Sequence, residues 1–410
     1  MRLSARCASA ALILIVPLAA AQGAAADGPS GRAVAAPLHR TAAAPLHRTA
    51  TAVPGEYIVT VDKGLDPARV AARVGGVEPL HTYRHVLNGF SARLDAAQLE
   101  RVRALPGVEA VEENGRAGAQ AATVSPAPAT RGAASSWGLD RIDQQEWDKD
   151  AGTGDGQFNV EGDGAGVTAY LIGTGIEFGH DEFEGRATLG TDTVGDGQNG
   201  ADCNGGGTHV AGIVGGKTYG VARKVNLVSV RVVGCDGQGT NEQIIAGLDW
   251  VAANAKKPAV ANISVGGDAN ETVNKAADAL SNAGILPVVS GGNGARDACL
   301  SSPASAKRVI TVGATNKHDE ETDFSNYGTC VSLYAPGEDI TSAKLGGGSV
   351  VRGGTAMAAP HVTGTVALYL AGHTAATPED LALWLSTETT KDVLTVTKGS
   401  PDELLYTAGL

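Results

Sequence analysis

Between residues 167 and 370, short apolar runs alternate with stretches of helical period, and that alternation leaves few possible architectures. The apolar runs fall near 167–172, 226–232, 260–265, 285–289 and 309–312. The helical stretches fall near 208–214, 240–255, 271–283 and 355–370. A strand that is apolar at nearly every position is buried on both faces, and strands separated by helices pair in parallel. The expectation is therefore an α/β domain over 137–410, a parallel sheet with helices on both faces. Sites in such sheets lie at the carboxyl ends of the strands.

The N-terminal part reads differently. Arg2 and Arg6 precede an apolar run at 10–21, and Ala24, Ala25 and Ala26 supply a cleavage site, so 1–26 is expected to be an export signal. The run is too short to span a membrane. Residues 27–53 are rich in Ala, Pro and Thr and contain a tandem repeat, APLHRTAA then APLHRTAT, which reads as a disordered linker. Residues 54–114 form a compact α+β unit. EYIVTV (56–61) alternates as a strand, Asp66 and Pro67 open a helix, and Asp95 caps a second, amphipathic one. With strands near 77–83, 88–94 and 107–112 the order is βαββαβ, a ferredoxin-like unit. Residues 115–136 read as an exposed linker.

Charge and cysteine usage narrow the class. The net charge of -12, the lack of a basic run and an aromatic content of 4% exclude a nucleic-acid-binding surface. No later segment is long and apolar enough for a membrane anchor, and the reading is a secreted, monomeric protein. Apart from Cys7, an even set remains: Cys203, Cys235, Cys299 and Cys330. In an exported chain these suggest two disulfides. Four cysteines allow three pairings. The simplest is local, Cys203 with Cys235 and Cys299 with Cys330. No CxxC pair supports a metal site instead.

Five segments carry the chemistry. They read AGVTAYLIGTGI (165–176), DCNGGGTHVAGIVGG (202–216), VANISVGG (260–267), SGGN (290–293) and GGTAMAAPHV (353–362). Together they closely resemble the active-site segments of the subtilase family, in particular its secreted proteinase-K-like bacterial branch. The resemblance covers 137–410, and 54–114, with LNGFSARL, resembles that branch's inhibitor-type propeptide. The cysteine spacing resembles that branch too and supports the two local pairings.

Carried over position by position, the resemblance places the triad aspartate at Gly173, the histidine at Gly206 and the nucleophile at Ala356. The oxyanion-hole asparagine is present as Asn293. Ser264, Val265, Gly266 and Gly267, with Gly237 and Gly239, would hold an extended peptide by main-chain hydrogen bonds. His209, Thr355, His361, Asp181 and Asp202 are the possible stand-ins for the missing groups. His209 and His361 read as packing, Thr355 points elsewhere along its turn, and Asp181 and Asp202 read as solvated loop residues. A calcium site of the branch would fall at Lys307, Val309 and Ser332, where the carboxylate is missing, so no cofactor is expected beyond a weak calcium candidate at Val309. Arg352 brings a charge close to the cleft.

These positions imply a subtilase-like pseudoprotease that is not an enzyme and that binds extended peptide or protein segments, or its own propeptide. Two alternatives stand beside this reading. One is a secreted serine endopeptidase whose triad has been altered in this sequence, and the other is a structural protein with a vestigial cleft.

Overall fold

A computed structural model describes residues 43–120, 123–126, 135–397 and 399–410. The expected export signal, Cys7 and residues 27–42 lie outside the described residues.

The N-terminal unit comprises β1 (Leu46–His47), β2 (Ala52–Val61), α1 (Pro67–Ala72), β3 (Pro79–Tyr83), β4 (Gly89–Arg93), α2 (Ala96–Arg103) and β5 (Val108–Ala119). The Asp66 side chain caps α1, which begins with Pro67. Asp95 and Gln98 form a reciprocal capping box at α2. The main strands are ordered β5–β2–β4–β3, antiparallel throughout. Val59, Phe90 and Val111 bury one face of the sheet against Val70, Leu99 and Val102 of the two helices.

Two expectations need correction. The expected linker at 27–53 is ordered over its described part. The second repeat copy lays Leu46 and His47 in parallel register beside Val111 and Glu112. Arg48 and the Thr49 amide hold Glu113, each at 3.1 Å. A two-residue edge strand has no period, so pattern reading had nothing to detect. Nor is 115–136 an exposed linker throughout, because β5 runs on to Ala119 and β6 (Thr123–Pro126) follows.

The larger unit contains α3 (Trp137–Ile142), β7 (Thr168–Gly173), β8 (Ala187–Asp192), α4 (Gly206–Gly215), β9 (Asn226–Arg231), β10 (Gln238–Thr240) and α5 (Asn241–Asn254). It continues through β11 (Ala259–Ile263), β12 (Val265–Asp268), α6 (Glu271–Asn282), β13 (Leu286–Ser290), β14 (Ser301–Ser302) and β15 (Ile310–Thr315). It ends with β16 (Leu333–Pro336), β17 (Ile340–Ala343), β18 (Ser349–Gly353), α7 (Thr355–Gly372), α8 (Pro378–Glu388), β19 (Thr390–Lys391) and β20 (Glu403–Leu404).

The main sheet has the order β19–β20–β16–β15–β13–β11–β7–β9–β8. Every pair is parallel except β19 with β20. Its two faces bury two separate cores. Along β7, Ala169 and Leu171 face the core built on α7, with Val362 and Val366. Tyr170 and Ile172 face the core built on α5 and α6, with Ile244, Leu248 and Val273. Period-two alternation between two apolar surfaces is why these strands read as continuous apolar runs. Among the described residues no helix is long and apolar enough to cross a membrane.

Candidate active site

β7 ends at Gly173, at the carboxyl edge of the sheet between β11 and β9. Gly206 opens α4 behind Gly205, whose φ of 91° needs a glycine. Ala356 lies in the first turn of α7. Pro360 cannot donate to the Ala356 carbonyl one turn back, and Ser264 Oγ donates to that oxygen instead, at 3.5 Å. Gly173, Gly206 and Ala356 line one cavity of about 20 Å³ together with Ser264, Ala119 and Gln120.

The glycines around this cavity are of two kinds. A Cβ at Gly207 would lie 2.0 Å from the Gly175 carbonyl oxygen, and one at Gly175 would lie 2.7 Å from the Ala201 backbone. Packing demands those two. A Cβ at Gly173 meets nothing within 4 Å, and at Gly206 the nearest atom is Asn204 Oδ1 at 3.0 Å, the end of a side chain. The backbone thus leaves room for side chains at 173 and 206.

The possible stand-ins are all otherwise engaged or displaced. His209 is fully buried, with Nε2 3.1 Å from both the Ile340 and Val350 carbonyl oxygens. Burial, and secondarily the charge of Arg352, push its pKa down to about 3. His361 Nδ1 lies 2.8 Å from the Met357 carbonyl oxygen, and burial lowers its pKa to about 4. Asp202 is not the solvated residue expected. It is buried and accepts from the Thr174 hydroxyl, the Thr208 hydroxyl and the amides of Asn204, Gly205 and Thr208, at 2.7–2.9 Å. Its carboxylate holds the loop before α4. Asp181 is exposed.

The cleft is filled by the chain itself. β5 enters between β10 and β12, antiparallel to both, pairing Arg116 with Thr240, Ala117 with Gly239, Gly118 with Gln238 and Gly266, and Ala119 with Val265. The Ala119 amide donates to the Gly237 carbonyl at 2.9 Å, and the Gln120 amide donates to that of Ser264 at 3.1 Å. The Asn293 side-chain amide donates to the Gln120 carbonyl. Ser264, Val265, Gly266, Gly237 and Gly239 therefore meet on one extended segment. Gly267 differs, because it pairs with Ser302 on β14. A Cβ there would still come within 2.8 Å of the Arg116 carbonyl oxygen.

Cys203 is bonded to Cys235 and Cys299 to Cys330. The first bridge ties the loop before α4 to the loop before β10, where Asn204 Nδ2 also donates to the Cys235 carbonyl at 3.1 Å. The positions suggested for calcium do not suit that ion. Ser332 Oγ accepts from the Thr311 amide at 3.1 Å, and the remaining positions offer Lys307 and the Val309 carbonyl. A hard divalent cation needs several oxygen ligands, carboxylates among them. Among the described residues no group of three or more His, Cys, Asp or Glu could hold a metal.

Sequence reading missed the surface that holds the N-terminal unit in place. Asp249 on α5 accepts from the amides of Arg84, His85 and Val86 at 2.7–3.2 Å. Glu112 accepts from Asn270 and Thr272 at the start of α6. Glu242 accepts from Ser91 at 3.1 Å and lies 3.3 Å from His81 Nε2. In each pair the two partners lie far apart in the chain, and nothing in the linear sequence signals their pairing.

Comparison with known proteins agrees with this geometry. Residues 134–407 match the Subtilase family, and residues 56–117 match Peptidase inhibitor I9. The chain is 42% identical over 383 residues to an extracellular serine proteinase of Thermus sp. (strain Rt41A), covering 87% of this chain and 90% of that one. It is 41% identical to alkaline serine exoprotease A of Vibrio alginolyticus, over 79% of this chain and 59% of the relative. The crystal structure of a cold adapted subtilisin-like serine proteinase superposes with a TM-score of 0.64 at 44% identity, covering 66% of this chain and 97% of that one.

These relatives correct one expectation. The reading of the chain as a non-enzyme rests on three positions. Over 87% of its length it is similar to a protein that is a serine proteinase, and the backbone leaves room for side chains at 173 and 206. The replacements are facts of the sequence, but the step from them to a non-enzyme does not stand. With its sheet, its cleft and its N-terminal inhibitor-type unit all in place, the chain belongs to the subtilase family.

Proposed function

We propose that this chain is a secreted serine endopeptidase whose acid, base and nucleophile positions, Gly173, Gly206 and Ala356, have been replaced in this sequence. The supporting observation is the Gln120 carbonyl, held by Asn293 at the end of a segment zipped into the cleft. A substrate carbonyl bound in this way is set for attack from position 356. A hydroxyl there would add to the carbonyl carbon, and an imidazole at 206 would take its proton and pass it to the leaving amine. A carboxylate at 173 would hold that imidazole in the right tautomer. The oxyanion would be met by Asn293 and by the amide end of α7.

In the chain as it stands, hydrolysis rests on binding and the oxyanion hole, which in such enzymes leave about 10³- to 10⁴-fold over water. Its first ligand is its own N-terminal unit, through 115–120. Others are extended peptide or protein segments. The reading includes a monomer acting outside the cell, with neither nucleic acid nor a membrane anchor as partner and no calcium requirement at Val309.

The test compares the pure chain with the variant carrying Gly173→Asp, Gly206→His and Ala356→Ser. Both are assayed on a fluorogenic peptide and with a serine-directed acylating probe. The triple variant should cut the peptide and take up the probe. A folded triple variant that does neither would overturn the reading.

A further inference from the structure

We infer that Arg352 is a positioning residue that acts through position 206, a fixed cation that keeps an imidazole there neutral and able to accept a proton down to mildly acidic pH. This rests on the proposed endopeptidase reading, in which position 206 carries the base.

Arg352 lies on β18, against the loop that opens α4. A Cβ built at Gly205 would stand 2.7 Å from Arg352 Nη2, so the guanidinium touches the chain one residue before 206. Its charge is weakly compensated. Nη2 makes one long hydrogen bond, to the Asn204 carbonyl at 3.5 Å, and the buried Nε has no partner. Arg231 on β9 is a contrast. It also approaches the site, donating to the Thr174 carbonyl at 3.2 Å, but Asp192 and Asp196 pair with it at 3.1 Å and 2.7 Å and balance its charge on the spot.

The field of Arg352 already acts on α4. Burial comes first, and the charge of Arg352 second, among the causes that hold His209 neutral, three residues along the helix from 206. Position 206 is closer in the chain to the contacts that Arg352 makes at 204 and 205.

The other charged groups around 206 do not cancel this cation. Burial lowers the pKa of Arg352, and Asp202 is the carboxylate that opposes it. The charge of Asp202 is shared among five donors, the hydroxyls of Thr174 and Thr208 and the amides of Asn204, Gly205 and Thr208. Glu177, on the loop after β7, accepts from the Gly346 amide at 2.8 Å. His361 on α7 is buried with a pKa lowered to about 4, so it is neutral near pH 6. A carboxylate restored at 173 would favour the imidazolium, and Arg352 opposes it. A cation this near disfavours a second positive charge and moves the titration of an imidazole down by about one pH unit. The base is then free to take its proton at lower pH.

Two measurements test this. In the first, Arg352→Met is added to the chain carrying Gly173→Asp, Gly206→His and Ala356→Ser. Methionine keeps an apolar stem in place and removes the charge. The acid limb of kcat/KM should move up by about one pH unit, so that the rate at pH 6 falls by up to about tenfold while the rate above pH 8 holds. Arg352→Lys keeps the charge and should leave the limb where it was. The second measurement needs no catalysis. In the full chain carrying Gly206→His alone, the new ring is titrated by NMR with and without Arg352→Met, and its pKa should rise when the charge is removed. If the triple variant cuts but neither the limb nor the titration moves, Arg352 does not act through 206, while the endopeptidase reading stands. A rate that falls equally at every pH, with no change in the NMR titration, would mark Arg352 as structural and overturn the inference in the same way. If the folded triple variant does not cut at all, the endopeptidase reading fails and this inference with it.

Discussion

Asn293 joins Gln120 to the start of α7. Its amide nitrogen donates to the Gln120 carbonyl, while its oxygen accepts from the Thr355 amide and hydroxyl, each at 2.9 Å. The Thr355 hydroxyl oxygen in turn accepts from the Gly292 amide at 3.0 Å. The amide plane is thus held in place before any carbonyl arrives, which is what makes a donor effective toward a developing oxyanion. In the chain carrying Gly173→Asp, Gly206→His and Ala356→Ser, Asn293→Ala should lower kcat by about 10²- to 10³-fold, the loss known for the matching change in subtilisin, a member of this family. Thr355→Val frees one side of the amide and should cost less, about tenfold. Steady-state rates of the three proteins on one peptide check both.

The three replaced positions should act as a unit. Removing the nucleophile or the base from subtilisin costs about 10⁶-fold, nearly as much as removing the whole triad, again a figure known from this family. Of the seven combinations of Gly173→Asp, Gly206→His and Ala356→Ser, only the triple should approach full activity. Stability should be non-additive as well. Gly173 is buried at the strand end, so Gly173→Asp alone places a carboxylate there without a partner and should destabilise by about 3 kcal/mol. Adding Gly206→His should recover more than half of that. Urea unfolding of the singles and the double measures it, and strict additivity would mean that 173 and 206 do not meet.

The first product of the triple variant should be a cut after Gln120, because that carbonyl lies at Asn293. Intact-mass analysis reads the position, and a cut elsewhere in 115–136 would contradict the register. The same register protects Arg116. Its amide donates to the Thr51 carbonyl at 3.0 Å, and it pairs with Thr240 across the cleft. Trypsin should spare the bond after Arg116 in the folded chain and cut it after unfolding.

The grip of the N-terminal unit should weaken as pH rises through neutrality. Burial pushes Glu242 up to about 7 from an ordinary 4.5, with Glu56 raising it further and Arg93, Ser91 and Thr240 opposing. His81 beside it is pushed down by burial, and Tyr83 bonds the Glu242 carbonyl at 3.2 Å. A carboxyl whose folded pKa is raised contributes fully below its ordinary value and loses that contribution as pH rises through about 7. From about pH 6.5, above which His209 and His361 add no further stability, up to pH 8 the uncut chain should lose thermal stability, and Glu242→Gln should flatten that slope. A parent chain with no slope in this range would refute the assignment.

At the acid end the buried histidines act in the opposite sense. His209 and His361 are held neutral, with pKa values of about 3 and about 4 against an ordinary 6.5. The unfolded chain therefore binds more protons below pH 6.5, and stability present above that value is lost as pH falls toward 4. Denaturant midpoints at pH 7 and pH 4.5 should differ in that direction. His361→Gln should narrow the gap, since glutamine has no proton to gain.

Much of this was legible in the linear chain. Apolar runs that are buried on both faces announce a parallel sheet, because period-two alternation between two apolar cores leaves no polar positions, as β7 illustrates. The flanks of 173, 206 and 356 identify the site because close backbone approaches demand particular residues, as Gly207 demands glycine against the Gly175 carbonyl. What only the tertiary structure decided is how the chain occupies its own cleft. Residues 115–119 are Gly and Ala apart from Arg116 and read as a linker, yet they form a strand because β10 and β12 present main-chain groups on either side. The same holds for Leu46 beside Val111 and for Val124 beside Arg352. Main-chain pairing draws on groups that every residue carries, so its partners are chosen by edges that exist only after the fold has formed.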